Sequence, residues 1–323
     1  MLTIITLIII LLALIGHIIR DQTIVLAFMM YIPLLPLGLW TIVVDLYQKG
    51  FALPKRFSLS FIGLVLAIWG TISMIGINIS QVQAAANQTI SLLHWNIKWA
   101  GLAKIYGQDL KNPKTMGEWP SIRDQLYQHN PDITVLTDPP QAQAWLAQLK
   151  GIGNNMFTFF DTEYTGLAII SSWPLKFEHF INIRDGVGFS VVVKVNNKDL
   201  RLLLIDGNSD PRQLRTFLLK DIQQIVIDKQ KNGQAVDFII GDFNAVSRSI
   251  GFDPYYSMAG GYQLASKVAM IWRGTWPAFL PIFDIDHIWV SKKRFQILDV
   301  KTLAQKNIDH RGQLISIYAN NSR

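Results

Sequence analysis

Two short segments of this 323-residue chain carry side chains able to act on one phosphate: Gly241-Asp242-Phe243-Asn244, which closes the apolar run Phe238-Ile239-Ile240, and Asp309-His310 near the C-terminus. An Asp and an Asn two positions apart on a strand project to the same side, so both can address one phosphate or metal ion at the strand's end. Gly-Asp-x-Asn is also good turn chemistry, so the segment alone leaves both readings open. The second segment adds an imidazole and a carboxylate, the groups that move protons near neutral pH.

No cysteine occurs anywhere in the sequence, which excludes thiolate nucleophiles, disulfide staples and cysteine-held metals. Any metal must therefore be held by oxygen or imidazole. Residues 1–80 contain only four Lys or Arg and two acids, whereas the remainder holds 26 basic and 21 acidic side chains, a net +5. The chain thus divides into an apolar front part and a soluble part whose mild positive charge favours polyanions or anionic headgroups without selecting between them.

Three apolar runs, about 2–19, 24–44 and 59–79, approach the roughly 20 residues needed to cross a bilayer, and three transmembrane helices are expected. The first run lacks the positively charged leading region and the cleavage site of a signal peptide. Pro33 and Pro36 should kink the second. Lys49, Lys55 and Arg56 crowd the loop between the second and third runs, which places that loop in the cytoplasm. Three crossings then put the C-terminal domain outside a bacterial inner membrane, in the periplasm or extracellular. The expected organisation is an anchor over 1–80, a polar linker over 81–89 and a folded domain over 90–323.

Within that domain short β-like runs alternate with helical stretches, among them Ile90–Asn96, Ile133–Leu136, Gly166–Ser171, Leu200–Ile205 and Val236–Ile240, with helices over 121–128, 141–149 and 211–228. Such alternation implies an α/β or α+β domain around a sheet core. Across residues 90 to 320 the ordered motifs resemble the endonuclease/exonuclease/phosphatase superfamily of metal-dependent phosphodiesterases. The resemblance is carried by Leu93-His-Trp-Asn-Ile97, Asn130-Pro-Asp-Ile-Thr-Val-Leu-Thr-Asp138, Gly166-Leu-Ala-Ile-Ile-Ser-Ser-Trp-Pro-Leu175, Gly241-Asp-Phe-Asn244, Ile285-Asp-His-Ile-Trp-Val-Ser291 and Ile308-Asp-His-Arg311. It implies a four-layer sandwich, two packed mixed sheets covered by helices, with the site at one end.

The same resemblance assigns roles. Asn96, Asp138 and Asp309 match metal-proximal positions, and hard oxygen ligands of this kind suit Mg²⁺ or Mn²⁺. Asp242 and Asn244 match the pair that orients the attacking water and the phosphate. His310 matches the catalytic histidine and Asp286 the carboxylate that orients it. His287, beside Asp286, should point to the opposite face. Asn208 and Arg212 are candidates for substrate phosphate, and Arg215, Arg248, Arg273 and Arg311 are further basic side chains able to meet it.

Two departures from the family pattern stand out. Asp138 replaces a metal-binding Glu and is one methylene shorter. Many members also place a His after the strand equivalent to Leu202–Ile205, whereas this chain reads Asp206-Gly-Asn-Ser-Asp210, with neither His nor Tyr. The expected function is a membrane-tethered, metal-dependent phosphodiesterase acting on nucleic acid or a phosphoester headgroup, with membrane lipid around its anchor and no protein partner inferable. The alternative is a catalytically degenerate member that binds a ligand, favoured if no proton donor reaches the leaving-group side.

Overall fold

A computed structural model of the chain describes residues 1–49, 58–76, 89–101, 117–140, 157–161, 165–196 and 198–320. The expected linker 81–89 lies outside them except for Thr89, and so does the expected helix 141–149. Twelve strands follow in chain order: β1 (Thr89–Asn96), β2 (Ile133–Thr137), β3 (Phe157–Asp161), β4 (Leu167–Ser171), β5 (Leu175–Ile183), β6 (Gly186–Val195), β7 (Lys198–Gly207), β8 (Phe238–Asp242), β9 (Tyr262–Leu264), β10 (Asp286–Ser291), β11 (Phe295–Leu303) and β12 (Gly312–Ala319). They form two six-stranded sheets, β11-β12-β1-β2-β4-β3 and β5-β6-β7-β8-β10-β9.

Both sheets are covered on both faces, which is why β2, β4, β8 and β10 read as continuous buried runs rather than alternating ones. Side-chain alternation sorts those runs into layers. Leu92, Val135, Ile169, Val191, Leu202 and Ile240 pack between the sheets. Leu93, Trp95, Leu136 and Ile170 face outward onto Ile122 and Leu126 of a helix at Trp119–His129. Leu203, Ile205 and Ile239 face outward onto Leu218, Ile222 and Val226 of a helix at Arg215–Lys231. The result is helix, sheet, sheet, helix, as the resemblance implies.

One topological feature positions the site. Each sheet contains a single parallel pair, β1 with β2 and β7 with β8, so the C-terminal ends of two neighbouring strands lie at the same edge. The strands β12 and β10 run antiparallel to β1 and β8, and their starts therefore meet those ends. Chain segments remote in sequence are delivered to one end of the sandwich.

The membrane expectation changes. Among the described residues only α1 (Leu2–Ile19) is long and apolar enough to cross a bilayer, with a mean hydropathy of 2.9. The second run is broken into α2 (Ile24–Met30) and α3 (Leu34–Lys49), and a 62° bend separates them. Pro33 lacks an amide hydrogen and biases Ile32 away from helical geometry, so the break is sharper than a kink. The third run forms α4 (Ser58–Met74) and then leaves helical geometry, with Gly76 N donating to Ile271 O at 3.0 Å. The expected three spans become one, or two if the bent pair counts as a single span. The placement of the domain outside the cytoplasm loses the crossing count on which it rested.

The N-terminal helices pack on each other and on the domain. A Cβ on Gly63 would lie 2.7 Å from Gly38 O, so α3 and α4 approach backbone to backbone. The turn between α1 and α2 is tied to the domain: Arg20 donates to both carboxylate oxygens of Asp253 at 2.7 and 2.8 Å, and Asp21 accepts from Ile250 N at 2.8 Å and from the Ser249 hydroxyl. Tyr31 Oη donates to Asn244 O at 3.2 Å, and Met30 is buried against Val246 and Ile285.

Candidate active site

The register of three adjacent strands lines up three carboxylates. Asp206 on β7 pairs with Asp242 on β8, and Asp242 pairs with Asp286 on β10, so the three residues stand side by side across the sheet. His310, just before β12, is held over them. Its Nδ1 lies 2.8 Å from Asp286 Oδ2 and 3.9 Å from Asp242 Oδ2, and its carbonyl accepts from Trp95 Nε1 at 3.1 Å. Nδ1 is therefore occupied by Asp286, which leaves Nε2 for a substrate or water.

Behind this pair Asp286 is fully enclosed. Its backbone N–H donates to Thr275 Oγ1 and its carbonyl accepts from Gln313 Nε2, while His94 Nδ1 sits 4.0 Å from its second carboxylate oxygen. Burial works against a charged His310, but the Asp286 charge and hydrogen bond, with Asp242, outweigh it and raise the imidazole to about 9. Burial likewise opposes ionisation of Asp286, yet His310 holds that carboxyl below its ordinary range. Asp242 is pushed up to about 7, first by burial and then by the Asp286 charge. His94 is driven the other way, to about 4, chiefly by burial.

A stability prediction follows from His310. Between its unfolded value near 6.5 and its folded value near 9 the native state holds a proton that the unfolded state releases. Stability contributed by the pair is full below pH 6.5 and is lost as pH rises through about 9. Lys267, lowered to about 8 mainly by burial, acts in the opposite sense above that pH. The thermal midpoint of metal-free protein should fall between pH 6.5 and 8, and His310→Gln should flatten that slope.

Asn96, at the end of β1, donates through Nδ2 to Asp242 Oδ2 at 3.0 Å and accepts from Lys98 N at 3.0 Å. Asn244 has a left-handed φ of 47°, so it lies past the strand rather than on it. Asp242 Oδ1 accepts from Asn244 N at 2.8 Å, and Asn244 Nδ2 donates to Gly207 O at 2.8 Å. The two side chains are thus set by an Asx-type turn, not by strand alternation. Asp138 also has a left-handed φ of 50°, and its backbone is held by Trp99 N and Gly166 O. A Cβ on Gly166 would meet Asp138 Oδ1 at 3.4 Å and Asp206 Oδ2 at 3.6 Å, so these carboxylates flank the same glycine. Lys98 and Trp99 are left-handed as well. Such backbone strain, gathered around one cavity, is what a site under functional constraint displays.

The cavity has a volume of about 660 Å³ and is lined by Asn96, Asp138, Asp206, Asn208, Asp242, Asn244, Asp309 and His310 together with Lys98 and Arg215. A model of the Endonuclease/Exonuclease/phosphatase family matches residues 93–309, about two thirds of the chain. The chain belongs to this family. Its members are phosphoester hydrolases that use divalent metals. The fold is similar to that of the human Nocturnin catalytic domain with bound sulfate anion, with a TM-score of 0.54 at 16% identity over 72% of this chain and 94% of that one. It is also similar to a D. rerio TDP2 complexed with a single-strand DNA product, with a TM-score of 0.52 at 16% identity over 71% and 98% of the two chains. A third similar structure is an endonuclease/exonuclease/phosphatase from Beutenbergia cavernae DSM 12333, with a TM-score of 0.52 at 13% identity over 72% of each chain. No curated protein sequence matches the chain.

For this member of the endonuclease/exonuclease/phosphatase family, the expected site residues converge with one exception. Arg212 does not line the cavity; its side chain is 83% exposed and pairs with Asp210. A carboxylate two residues away in the same exposed loop holds it more cheaply than a distant phosphate could. Arg215 takes the inward place. It is buried, its Nε donates to Asn244 O at 2.9 Å and one Nη to Asp210 O at 2.9 Å, while Nη1 has no partner among the described residues. His287 points away from Asp286, as alternation requires, and its Nε2 meets Ala245 O at 2.7 Å.

Asp206 and Lys98 were not anticipated. Asp206 opens the turn that lacks the family's His, and its register with Asp242 is invisible without the strand pairing. Burial and the neighbouring carboxylates of Asp138, Asp242 and Asp286 push its carboxyl well above the ordinary range. Lys98 Nζ lies 2.6 Å from Asp309 Oδ2, leaving Asp309 Oδ1 without a partner. Nothing in the sequence around Lys98 marked it, because its direction is set by the left-handed turn.

Among the described residues, Asp242, Asp286 and His310 have ligand atoms within 4.8 Å of one another, which would also suit a metal ion. A metal on His310 Nδ1 would have to break the 2.8 Å bond to Asp286, so the three are better used as an acid–base unit. The donor chemistry for a divalent cation fits the facing wall. Asp138 and the free oxygen of Asp309 are hard oxygen donors, and Asn96 Oδ1 accepts one hydrogen bond and retains a lone pair.

Proposed function

We propose that this chain is a divalent-metal-dependent hydrolase of phosphodiesters. The supporting observation is that a carboxylate-held histidine, a second carboxylate placed to orient water and the guanidinium-bearing Arg215 line one cavity. Asp138, Asp309 and Asn96 would hold Mg²⁺ or Mn²⁺, which when bound supplies positive charge to the nonbridging phosphate oxygens. Arg215, in the lining of the same cavity, adds positive charge for that phosphate. Asp242, fixed by Asn96 and the Asn244 amide, aligns the attacking water, and His310 presents Nε2 to the phosphate. Asp206 fills the leaving-group side where a proton donor is lacking in the motif, which favours turnover over binding alone.

The test is hydrolysis of bis(p-nitrophenyl) phosphate by full-length protein in detergent, with Mg²⁺, Mn²⁺ or EDTA. Metal-dependent release that disappears in His310→Ala supports the reading; trace release unchanged by that substitution refutes it. The shorter reach of Asp138 gives a further expectation. Asp138→Glu should lower the metal concentration for half-maximal rate and leave turnover equal or higher, as a metal titration would record.

A further inference from the structure

Resting on the hydrolase reading, we propose that the substrate is a membrane-resident lipid phosphodiester whose apolar chains are received by α2 while its phosphate reaches the catalytic wall. The cavity is not built by the sandwich alone. Asp21, Ala27, Phe28 and Tyr31 of the N-terminal helices line it opposite Asp138, Asp242 and His310. This wall is fixed in place, because Tyr31 donates to the carbonyl of Asn244 and the preceding turn is held through Arg20 and Asp21.

The lining of the cavity is mixed. Carboxylates, Arg215 and His310 share it with Phe28, Trp276, Phe283 and Ile285. Apolar side chains stand exposed in two segments. On α2, Val25 is 58% and Phe28 52% exposed. The segment between the lining residues Trp276 and Phe283 carries Phe279 at 86% and Leu280 at 54%. That segment is coupled to the catalytic end, since Ala278 N donates to Asp309 O at 2.7 Å and Arg311 Nε to Ala278 O at 3.0 Å. α2 packs on the end of α1 at Gly16, and Ile4, Ile8, Leu11 and Ile18 of α1 are also exposed. Apolar surface of this extent calls for a cover, and α1 is long enough to lie in a bilayer.

A wall contributed by an apolar helix is a poor surface for a polynucleotide, which needs a basic groove tracking several backbone phosphates. It suits a phosphodiester that arrives with apolar chains attached. The cavity is also of a size that takes a headgroup rather than a long polymer. In the reaction, water oxygen bonds to phosphorus, one ester P–O bond breaks, and one water proton ends on the leaving alkoxide. Diester and water thus become a monoester and an alcohol, with no redox partner.

The experiment uses full-length protein in nanodiscs or mixed micelles with Mg²⁺ or Mn²⁺. Four substrates are compared: a mixture of long-chain phosphatidylglycerol, phosphatidylethanolamine and cardiolipin; the dihexanoyl forms of the first two; a single-stranded oligodeoxynucleotide; and bis(p-nitrophenyl) phosphate. New phosphomonoester or alcohol is read by phosphorus NMR and mass spectrometry. We expect long-chain lipid to be cleaved with kcat/KM at least tenfold above the dihexanoyl forms and the oligonucleotide. Phe28→Ser should collapse that chain-length ratio and Phe28→Leu should preserve it; since Phe28 is half exposed, neither should unfold the protein. Cleavage of the oligonucleotide or the p-nitrophenyl ester without preference for long-chain lipid would overturn the lipid assignment and leave the hydrolase reading standing. An unaltered ratio in Phe28→Ser would also overturn it. No metal-dependent hydrolysis of any substrate would remove the hydrolase reading, and the lipid assignment with it.

Discussion

Replacing His310 by alanine, or Asp242 by asparagine, is expected to lower turnover of a phosphodiester by a factor of about 10² or more, the scale on which positioned acid–base groups act. The two substitutions strike different functions of one unit. His310 is the only imidazole bonded to a catalytic-wall carboxylate among the described residues, and it lines the cavity with Nε2 not engaged by Asp286. Asp242 sits in the middle of the carboxylate row and is bonded through both oxygens, to Asn96 and Asn244 N. Asp242→Asn keeps the shape and removes the charge, but its amide nitrogen would face a donor, Asn96 Nδ2 or Asn244 N, so one of those bonds is lost as well. His310→Ala carries a structural cost, because it leaves Asp286 buried beside a neutral His94. Circular dichroism on both variants, with His310→Gln as a better-filled control, separates misfolding from lost catalysis. Steady-state rates that stay within a factor of about three of wild type in folded variants would remove these residues from the mechanism.

Arg215→Lys is expected to lower kcat/KM by about 10², comparable to removing one preorganised donor from a transition-state anion. The guanidinium holds Asn244 O and Asp210 O together at the wall of the cavity. A lysine ammonium, with a single nitrogen, cannot satisfy both carbonyls and reach the phosphate in the same geometry. Arg212→Ala serves as the matched control, because that side chain is exposed and already paired with Asp210. Its rate should be close to wild type. Equal losses at the two positions would indicate a diffuse electrostatic effect, which raising the salt concentration would screen at Arg212 and spare at the buried site.

Some of this site was legible from residue order alone. Asn96, Asp138, Asp242, Asp286, Asp309 and His310 each end or precede an apolar run, and their chemistry together is that of phosphoryl transfer. Their strands could be read because β1, β2, β8 and β10 are short segments with an apolar centre. Edge strands were harder. β5 and β11 mix exposed and buried positions, and no marked apolar run distinguishes them from loop. Arg212 and Arg215 share a charge and lie three positions apart. Only the start of the helix at Leu214 turns one outward and the other under Asn244.

Sequence by itself determined which side chains were available: a cysteine-free set of carboxylates, amides and one well-placed histidine, carried on runs apolar enough to form a double-sided core. Tertiary structure alone decided which of them meet. Asp206 joins Asp242 because β7 and β8 are parallel and in register, and Asp286 joins them because β10 is antiparallel to β8. Pairing partners are chosen by burial and backbone hydrogen bonding over separations of tens to hundreds of residues, and no local pattern records that choice. The same holds for the N-terminal helices. Their composition announces apolar surface, but the break at Pro33 and the bonds of Arg20, Asp21 and Tyr31 to the domain make α2 a wall of the cavity instead of a simple tether.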